Sequence, residues 1–114
     1  MAIAELYSGT EAVSTTEWSL TTDTAGPDVD TTDGVFQVWL DVSDMIAGDE
    51  LQIRVYEKVR SADTQRIVWQ ATLVGAQSPP IWVSPTLILL HGWDATLDAI
   101  AGTITVLWSI RQLT

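Results

Sequence analysis

The sequence predicts an all-β fold, an antiparallel β-sandwich or flattened barrel of about seven to eight strands. Apolar and polar residues alternate with period two in several stretches, and turn residues separate these stretches every eight to twelve residues or so. Helix is expected only as a turn or two, near Asp44 and Leu97. With 114 residues, 46% of them hydrophobic, the chain suits one core, so residues 1–114 are predicted to form a single domain.

The first third of the chain is poor in large apolar residues. Residues 1–11 are predicted to form an N-terminal arm or an edge strand, because residues 2–7 suit a short strand and Ser8-Gly9 would end it. Residues 12–20 are rich in Thr and suit a further edge strand. Residues 21–34 contain Gly-Pro, four Asp and several Thr, which is typical of a loop.

The stretch 35–59, VFQVWLDVSDMIAGDELQIRVYEKV, is predicted to organise the fold. The even-numbered Phe36, Val38 and Leu40 share one parity, and the second run alternates in the same way, so each run has an inward and an outward face. Between the two runs, the chain is expected to reverse at Gly48-Asp49. The pattern therefore predicts a β-hairpin, whose apolar face the rest of the chain must cover.

The second half of the chain continues the strand pattern. Residues 66–74 alternate and are predicted to pair with residues 51–58 as a second hairpin, whereas the prolines of residues 75–80 favour a loop. Residues 85–95 are apolar on both sides, which predicts a buried central strand, and residues 94–102 suit a brief helix or a loop. Residues 103–113 are predicted to be the last strand. The expected core consists of Phe36, Val38, Leu40, Leu51, Ile53, Val55, Ile67, Trp69, Leu89, Val106, Trp108 and Ile110.

Charge is distributed unevenly along the chain. The net charge is −10, and residues 1–50 contain eleven of the fifteen acids and no Lys or Arg. Without a basic stripe, neither nucleic acid nor an anionic membrane surface is an expected partner, whereas a basic protein surface is. The absence of cysteine excludes disulfides and thiolate metal sites. The first residues lack the pattern of a secretory signal, and no apolar run approaches the length of a membrane-spanning helix.

No catalytic or cofactor-binding residues are predicted. His91 is the only histidine, and Asp94 lies three residues away, but no nucleophile motif accompanies them, so a structural role is preferred. Asp28, Asp30 and Asp33 are weak candidates for calcium ligands, because their spacing does not fit an EF-hand loop. A solvated acidic loop, or one that contacts a basic partner, is the favoured interpretation, and no cofactor is expected.

Six tryptophans are many for a chain of this length. Trp69 and Trp108 share the parity of apolar neighbours and are predicted to lie in the core. Trp39 has the opposite parity to Phe36 and Val38, Trp82 lies between prolines, and Trp93 follows a glycine. These last three are candidate anchors for a protein partner or for a glycan, because tryptophan is enriched at such surfaces. The alternative is that they cover the ends of the sandwich.

The chain resembles the small all-β virion proteins of tailed bacteriophages, particularly the capsid decoration or cement proteins. The resemblance rests on the general character of MAIAELYSGTEAVSTTEWSL, DGVFQVWLDVSDMIAGDELQIRVYEKV, IWVSPTLILLHGWDATL and TVLWSIRQL. It implies a non-enzymatic protein, made in the host cytoplasm, that binds the major capsid protein on the outside of the virion and stabilises its lattice. It also implies a homo-oligomer, but no functional residue can be carried over.

Three alternatives remain open from the sequence. A carbohydrate-binding fibre or tip domain would present a row of exposed aromatic residues beside amides or acids. A head-to-tail or tail component of the particle would present an edge strand able to form a ring. A small hydrolase would need converging polar groups in a pocket, which is hard to reconcile with one histidine and no thiol.

Overall fold

The core lies between two layers of strands whose apolar residues alternate as the sequence predicts. In the computed structural model, which describes residues 2–113, the strand Gly34–Asp41 (β4) buries Phe36, Val38 and Leu40 on one side only. The strand Glu50–Glu57 (β5) follows the same rule. Because successive side chains of a strand point to opposite faces, each strand contributes one face to the core. The prediction of an all-β, sandwich-like fold is confirmed.

One layer, sheet A, contains five antiparallel strands. Its order is Ile3–Val13 (β1), Ile104–Leu113 (β10), β4 and Ile81–Val83 (β7), and Leu87–Leu89 (β8) also pairs with β4. The predicted last strand is thus confirmed as β10, although it lies at the centre of the sheet. The predicted N-terminal arm or edge strand is an edge strand, β1, which extends to Val13.

The other layer, sheet B, also contains five antiparallel strands. Its order is Thr24–Ala25 (β3), Trp18–Ser19 (β2), Trp93–Ala101 (β9), β5 and Arg66–Val74 (β6). The described residues form ten strands, which fits the predicted number of about seven to eight, because β2, β3, β7 and β8 have only two or three residues each. The segment 12–20 divides between the end of β1 and β2, and the predicted loop 21–34 contains β3.

The predicted hairpin between residues 35 and 59 is wrong. β4 lies in sheet A and β5 in sheet B, so the connection between them crosses from one layer to the other. Asp49 closes this connection, because its Oδ2 accepts a hydrogen bond from the Ile46 backbone N–H at 3.0 Å. The second predicted hairpin is confirmed, since β5 and β6 are antiparallel neighbours.

The central strand of sheet B was misplaced in the sequence prediction. Residues 85–95 do not form one buried strand, since they contain β8, at the edge of its sheet, and only the beginning of β9. Residues 94–102, predicted as a brief helix or a loop, belong mostly to β9. Leu97 is a buried strand residue, and Asp44 lies in a turn, so neither predicted helical turn forms. No helix long and apolar enough to cross a membrane occurs among residues 2–113.

Ten of the twelve predicted core residues are buried, and the two exceptions lie in β6. Trp69 is only partly buried, and Ile67 is 47% exposed. A register shift explains the error: Val55 pairs with Trp69, but the next residue, Tyr56, pairs with Ile67. A bulge of this kind reverses the parity of the strand, so it turns Ile67 to the outer face.

The assignment of faces can be tested at Ile53, which is completely buried at the centre of sheet B. We expect Ile53→Asp to lower the free energy of unfolding by several kcal/mol, because it buries a carboxylate that has no partner. Chemical denaturation followed by circular dichroism measures the change. Gln70→Asp on the outer side of β6 is the matched control and should change stability little; equal losses in both variants would contradict the assignment.

Candidate functional site

The outer face of sheet A exposes a group of apolar side chains around Trp39. Cross-strand pairing places Trp39 between Ser109 and Val83, and Asp41 between Leu107 and Ile81. Further along the strands, Val35 lies between Leu113 and Ile88. We call this surface the Trp39 face; it consists of Ile3, Glu5, Val35, Gln37, Trp39, Asp41, Ile81, Val83, Ile88, Leu107, Ser109, Arg111 and Leu113. Trp39 lies on the outer face, as its parity in the sequence indicates.

Two neighbours hold the Trp39 side chain in place. The Arg111 guanidinium carbon lies 4.0 Å from the centre of the indole ring, a cation–π contact, and the indole N–H donates to Gln37 Oε1 at 3.1 Å. Beside them lies a half-open groove of about 250 Å³, lined by Ile3, Val35 and Leu113 among others. The ring is thus preorganised and partly accessible, which are properties of a binding anchor.

The Trp39 face is nearly neutral, although the protein is strongly acidic. Glu5 and Asp41 are its acids and Arg111 is its base, so the face carries −1 of the total charge of −10. Its most exposed apolar side chains, Ile3 and Ile88, are 74% and 82% accessible. Contiguous exposed apolar side chains of this kind mark surfaces that bind other proteins.

The other two candidate tryptophans are not on this face. Trp82 is partly buried between the sheets and stacks on Trp69, with ring centroids 5.6 Å apart. Trp93 is only 1% exposed, so it lies in the core and is not accessible as an anchor for a partner. It begins β9 with inward parity and packs 4.7 Å from Phe36.

The three weak calcium candidates make separate contacts. Asp28 accepts a hydrogen bond from Thr22, Asp30 accepts one from the Tyr7 hydroxyl, and the backbone carbonyl of Asp33 accepts one from Gln112. Within the described part of the chain, no group of three or more His, Cys, Asp or Glu side chains could hold a metal ion. The aspartates of this segment therefore help to fold it rather than form a shared ligand set.

Asp94 is a buried carboxylate that sequence reasoning considered only as a partner for His91. It is fully buried, and its Oδ1 accepts hydrogen bonds from the hydroxyls of Ser19 at 3.0 Å and Thr21 at 2.8 Å. Its Oδ2 accepts one from the Asp28 backbone N–H at 2.8 Å. Burial raises its pKa, whereas these hydrogen bonds act in the opposite direction. Asp94 thus fixes residues 19–28 against β9.

A second polar cluster lies on the outer face of sheet B around Glu17. Its Oε2 accepts hydrogen bonds from the Tyr56 hydroxyl and from the Thr96 hydroxyl, both at 2.5 Å. Arg54 lies 3.6 Å from the same oxygen and 2.9 Å from Asp98 Oδ1. These groups pair with one another through hydrogen bonds and ion pairs. This part of the outer face of sheet B is therefore covered by polar side chains that already have partners, whereas the Trp39 face exposes apolar side chains.

His91 contributes a backbone contact to the turn that precedes β9. Its backbone N–H donates to Glu57 Oε1 at 3.3 Å, and the same carboxylate also accepts from the Leu90 and Gly92 backbone N–H groups. Glu57 therefore anchors the turn before β9. Asp94, which is three residues from His91 in the sequence, directs its carboxylate to Ser19, Thr21 and Asp28 instead.

Neither a protein-family model nor a curated protein matches this chain.

The role of Asp94 predicts a local effect of substitution. Asp94→Asn should lower the free energy of unfolding by about 1–3 kcal/mol, because an amide cannot accept from every donor around it. It should also speed hydrogen exchange of the Asp28 amide, which loses its acceptor. Asp33→Asn, at an exposed position, is the control and should leave both quantities unchanged; the idea fails if Asp28 exchanges at the same rate in all three proteins.

Tyr56 predicts a loss of stability at high pH. Burial, with Glu17 as acceptor and nearby charge, raises the pKa of Tyr56 from 10.0 to about 12. The folded state therefore favours the neutral phenol, so its contribution is complete below pH 10 and is lost as pH rises towards 12. Denaturation between about pH 8 and pH 11.5 should show a steeper decline for the native sequence than for Tyr56→Phe. Parallel curves would contradict this assignment.

Proposed function

We propose that this protein is a non-enzymatic structural protein of a virus particle, a capsid decoration or cement protein that docks through the Trp39 face. The observation that carries the proposal is the nearly neutral apolar surface around a preorganised Trp39 on an otherwise acidic molecule. The general resemblance of the sequence to small all-β virion proteins supplies the kind of particle. On this proposal the protein lies on the outside of the capsid and binds the major capsid protein.

The physical case for docking rests on the contrast between the two outer faces. On sheet B, the carboxylates and hydroxyls around Glu17 and Asp94 already have hydrogen-bond partners within the chain. On sheet A, Ile88 and Leu107 remain exposed to water, and burying such side chains stabilises a complex by about 25 cal/mol per Å² before the costs of association. The acids lie mainly outside the Trp39 face, so binding there removes few charges from water.

A carbohydrate-binding fibre or tip domain is the second candidate. The observation in its favour is that the partly exposed Trp39 lies beside the amide of Gln37 and the carboxylate of Asp41, a combination that suits a sugar ring. The Trp39 face, however, contains one tryptophan rather than a row of aromatic side chains, since Trp82 and Trp93 are directed into the sandwich. This weakens the glycan interpretation relative to protein docking.

Truncation of Trp39 tests the docking proposal. Trp39→Ala should remain folded and bind empty capsids of the bacteriophage that encodes the protein at least tenfold more weakly, because loss of a central anchor costs roughly 2 kcal/mol or more. Co-sedimentation with capsids measures occupancy, and circular dichroism confirms folding.

Trp18→Ala is the matched control, since Trp18 is a partly buried tryptophan of sheet B, away from the Trp39 face. It should bind capsids normally if it folds. Normal capsid binding by both variants would contradict the proposal that the protein docks through the Trp39 face. A glycan array that binds the native protein but not Trp39→Ala, together with no capsid binding by the native protein, would replace decoration by the carbohydrate-binding function.

A further inference from the structure

Two long edge strands lie open on opposite sides of the sandwich. β1 has eleven residues and pairs only with β10, and β6 has nine residues and pairs only with β5. The ring of Trp69 on β6 stacks on Trp82 of β7, which is at the far end of sheet A from β1. One side of the molecule therefore ends in β1 and the opposite side in β6.

Open edges of this length are able to pair with a strand of another chain. An edge strand presents unpaired N–H and C=O groups to any other strand, and proteins commonly block it with Lys or Pro, with bulges or with very short strands. Neither β1 nor β6 contains Lys or Pro. Each has one bulge near its beginning, so Tyr7–Val13 and Trp69–Val74 remain regular.

The two edges have opposite charge. β1 contains Glu5 and Glu11 and no base, and β6 contains Arg66 and no acid. Arg66 forms no ion pair with any residue that the structure describes. Pairing β1 with a second β1 would bring four carboxylates and no base to one contact, whereas pairing β1 with β6 brings the two glutamates of β1 to an arginine. Charge therefore favours unlike edges over two copies of β1.

We propose that β1 of one copy of this protein pairs antiparallel with β6 of the next copy, in a head-to-tail contact that joins sheet A of one to sheet B of the other. Unlike-edge contacts of this kind build rings or open chains. The proposal concerns the purified protein alone and does not depend on the capsid docking described above. Failure of self-association would not contradict capsid docking, and failure of capsid docking would not contradict self-association.

The regular parts of the two strands match in one register. With Gly9 opposite Ala71, the small residues meet on the inner side. Thr10 then lies opposite Gln70 and Ser8 opposite Thr72 on the outer side, where both members of each pair are polar. The beginning of β6, with Arg66, lies at the Glu11 end of β1. Antiparallel pairing is chosen because it is the more stable ladder per residue.

The absence of cysteine from the chain allows a direct test with engineered disulfides. Thr10→Cys and Gln70→Cys are each made singly at exposed positions, purified, and oxidised either alone or as an equal mixture. The proposed register brings the two Cα atoms to about 5.5 Å, within disulfide range. The mixture should give a disulfide-linked dimer, and each variant alone should give far less.

Charge exchange between copies provides the second measurement. Arg66→Glu and Glu11→Arg should each weaken self-association by roughly threefold at low salt, because Glu11 and Arg66 lie at the same end of the proposed ladder, about three positions apart, and each variant replaces their attraction by repulsion. A mixture of the two variants should associate again, since the arginine introduced into β1 of one variant then lies at the same end of the ladder as the glutamate introduced into β6 of the other. Sedimentation velocity over a concentration series at low salt measures this, and circular dichroism confirms that each variant folds.

Three results would overturn the proposal. One is a disulfide dimer that forms as well from either single-cysteine variant alone as from the mixture, which indicates pairing of like edges. Another is a native protein that stays monomeric at millimolar concentration and gives no disulfide in the mixture. The third is association that is insensitive to both charge variants.

Discussion

The carboxylate of Asp94 connects the segment 19–28, which has little apolar content, to the buried strand β9. It lies in β9, close to the buried Leu97, and it accepts hydrogen bonds from residues that belong to the segment 19–28. A buried charge without a neighbouring base is costly unless donors surround it, so the segment and the carboxylate stabilise each other. Because of this contact, Thr- and Asp-rich residues with almost no core side chains still cover one side of the sandwich.

How much of the fold the sequence could predict depended on whether one face of a strand meets water. In β4, β5 and β10, alternation between buried and partly exposed residues identified the core correctly. In β9, residues 93–97 are all buried, because the outer polar residues are covered by the chain's own loop. Burial in this part of β9 therefore does not alternate from residue to residue. For this reason the sequence prediction assigned the beginning of β9 to an apolar strand and the rest of it to a brief helix or a loop.

Partners of strands were harder to predict than the strands themselves. A connection such as residues 42–49 joins two alternating strands equally well within one sheet or between two, and local pattern does not distinguish these arrangements. The candidate site shows the same limit: parity placed Trp39 on the outer face, but nothing local indicated that Arg111 of a distant strand would cover its ring. The exposure of Ile67 could be predicted only from the position of a bulge, and that position depends on how β5 and β6 pair.

The geometry of a sandwich separates the two proposed kinds of contact. The Trp39 face is perpendicular to the layers' lateral sides, where β1 and β6 lie, so a copy bound through Trp39 would keep both edges directed sideways. Neighbouring copies on a surface would then meet through strand edges rather than through their acidic loops, whose like charges repel at short range. An apolar face directed towards the particle and complementary edges directed towards neighbouring copies are compatible in one molecule. The reason is that neither contact would require the buried side chains between the two sheets to become exposed.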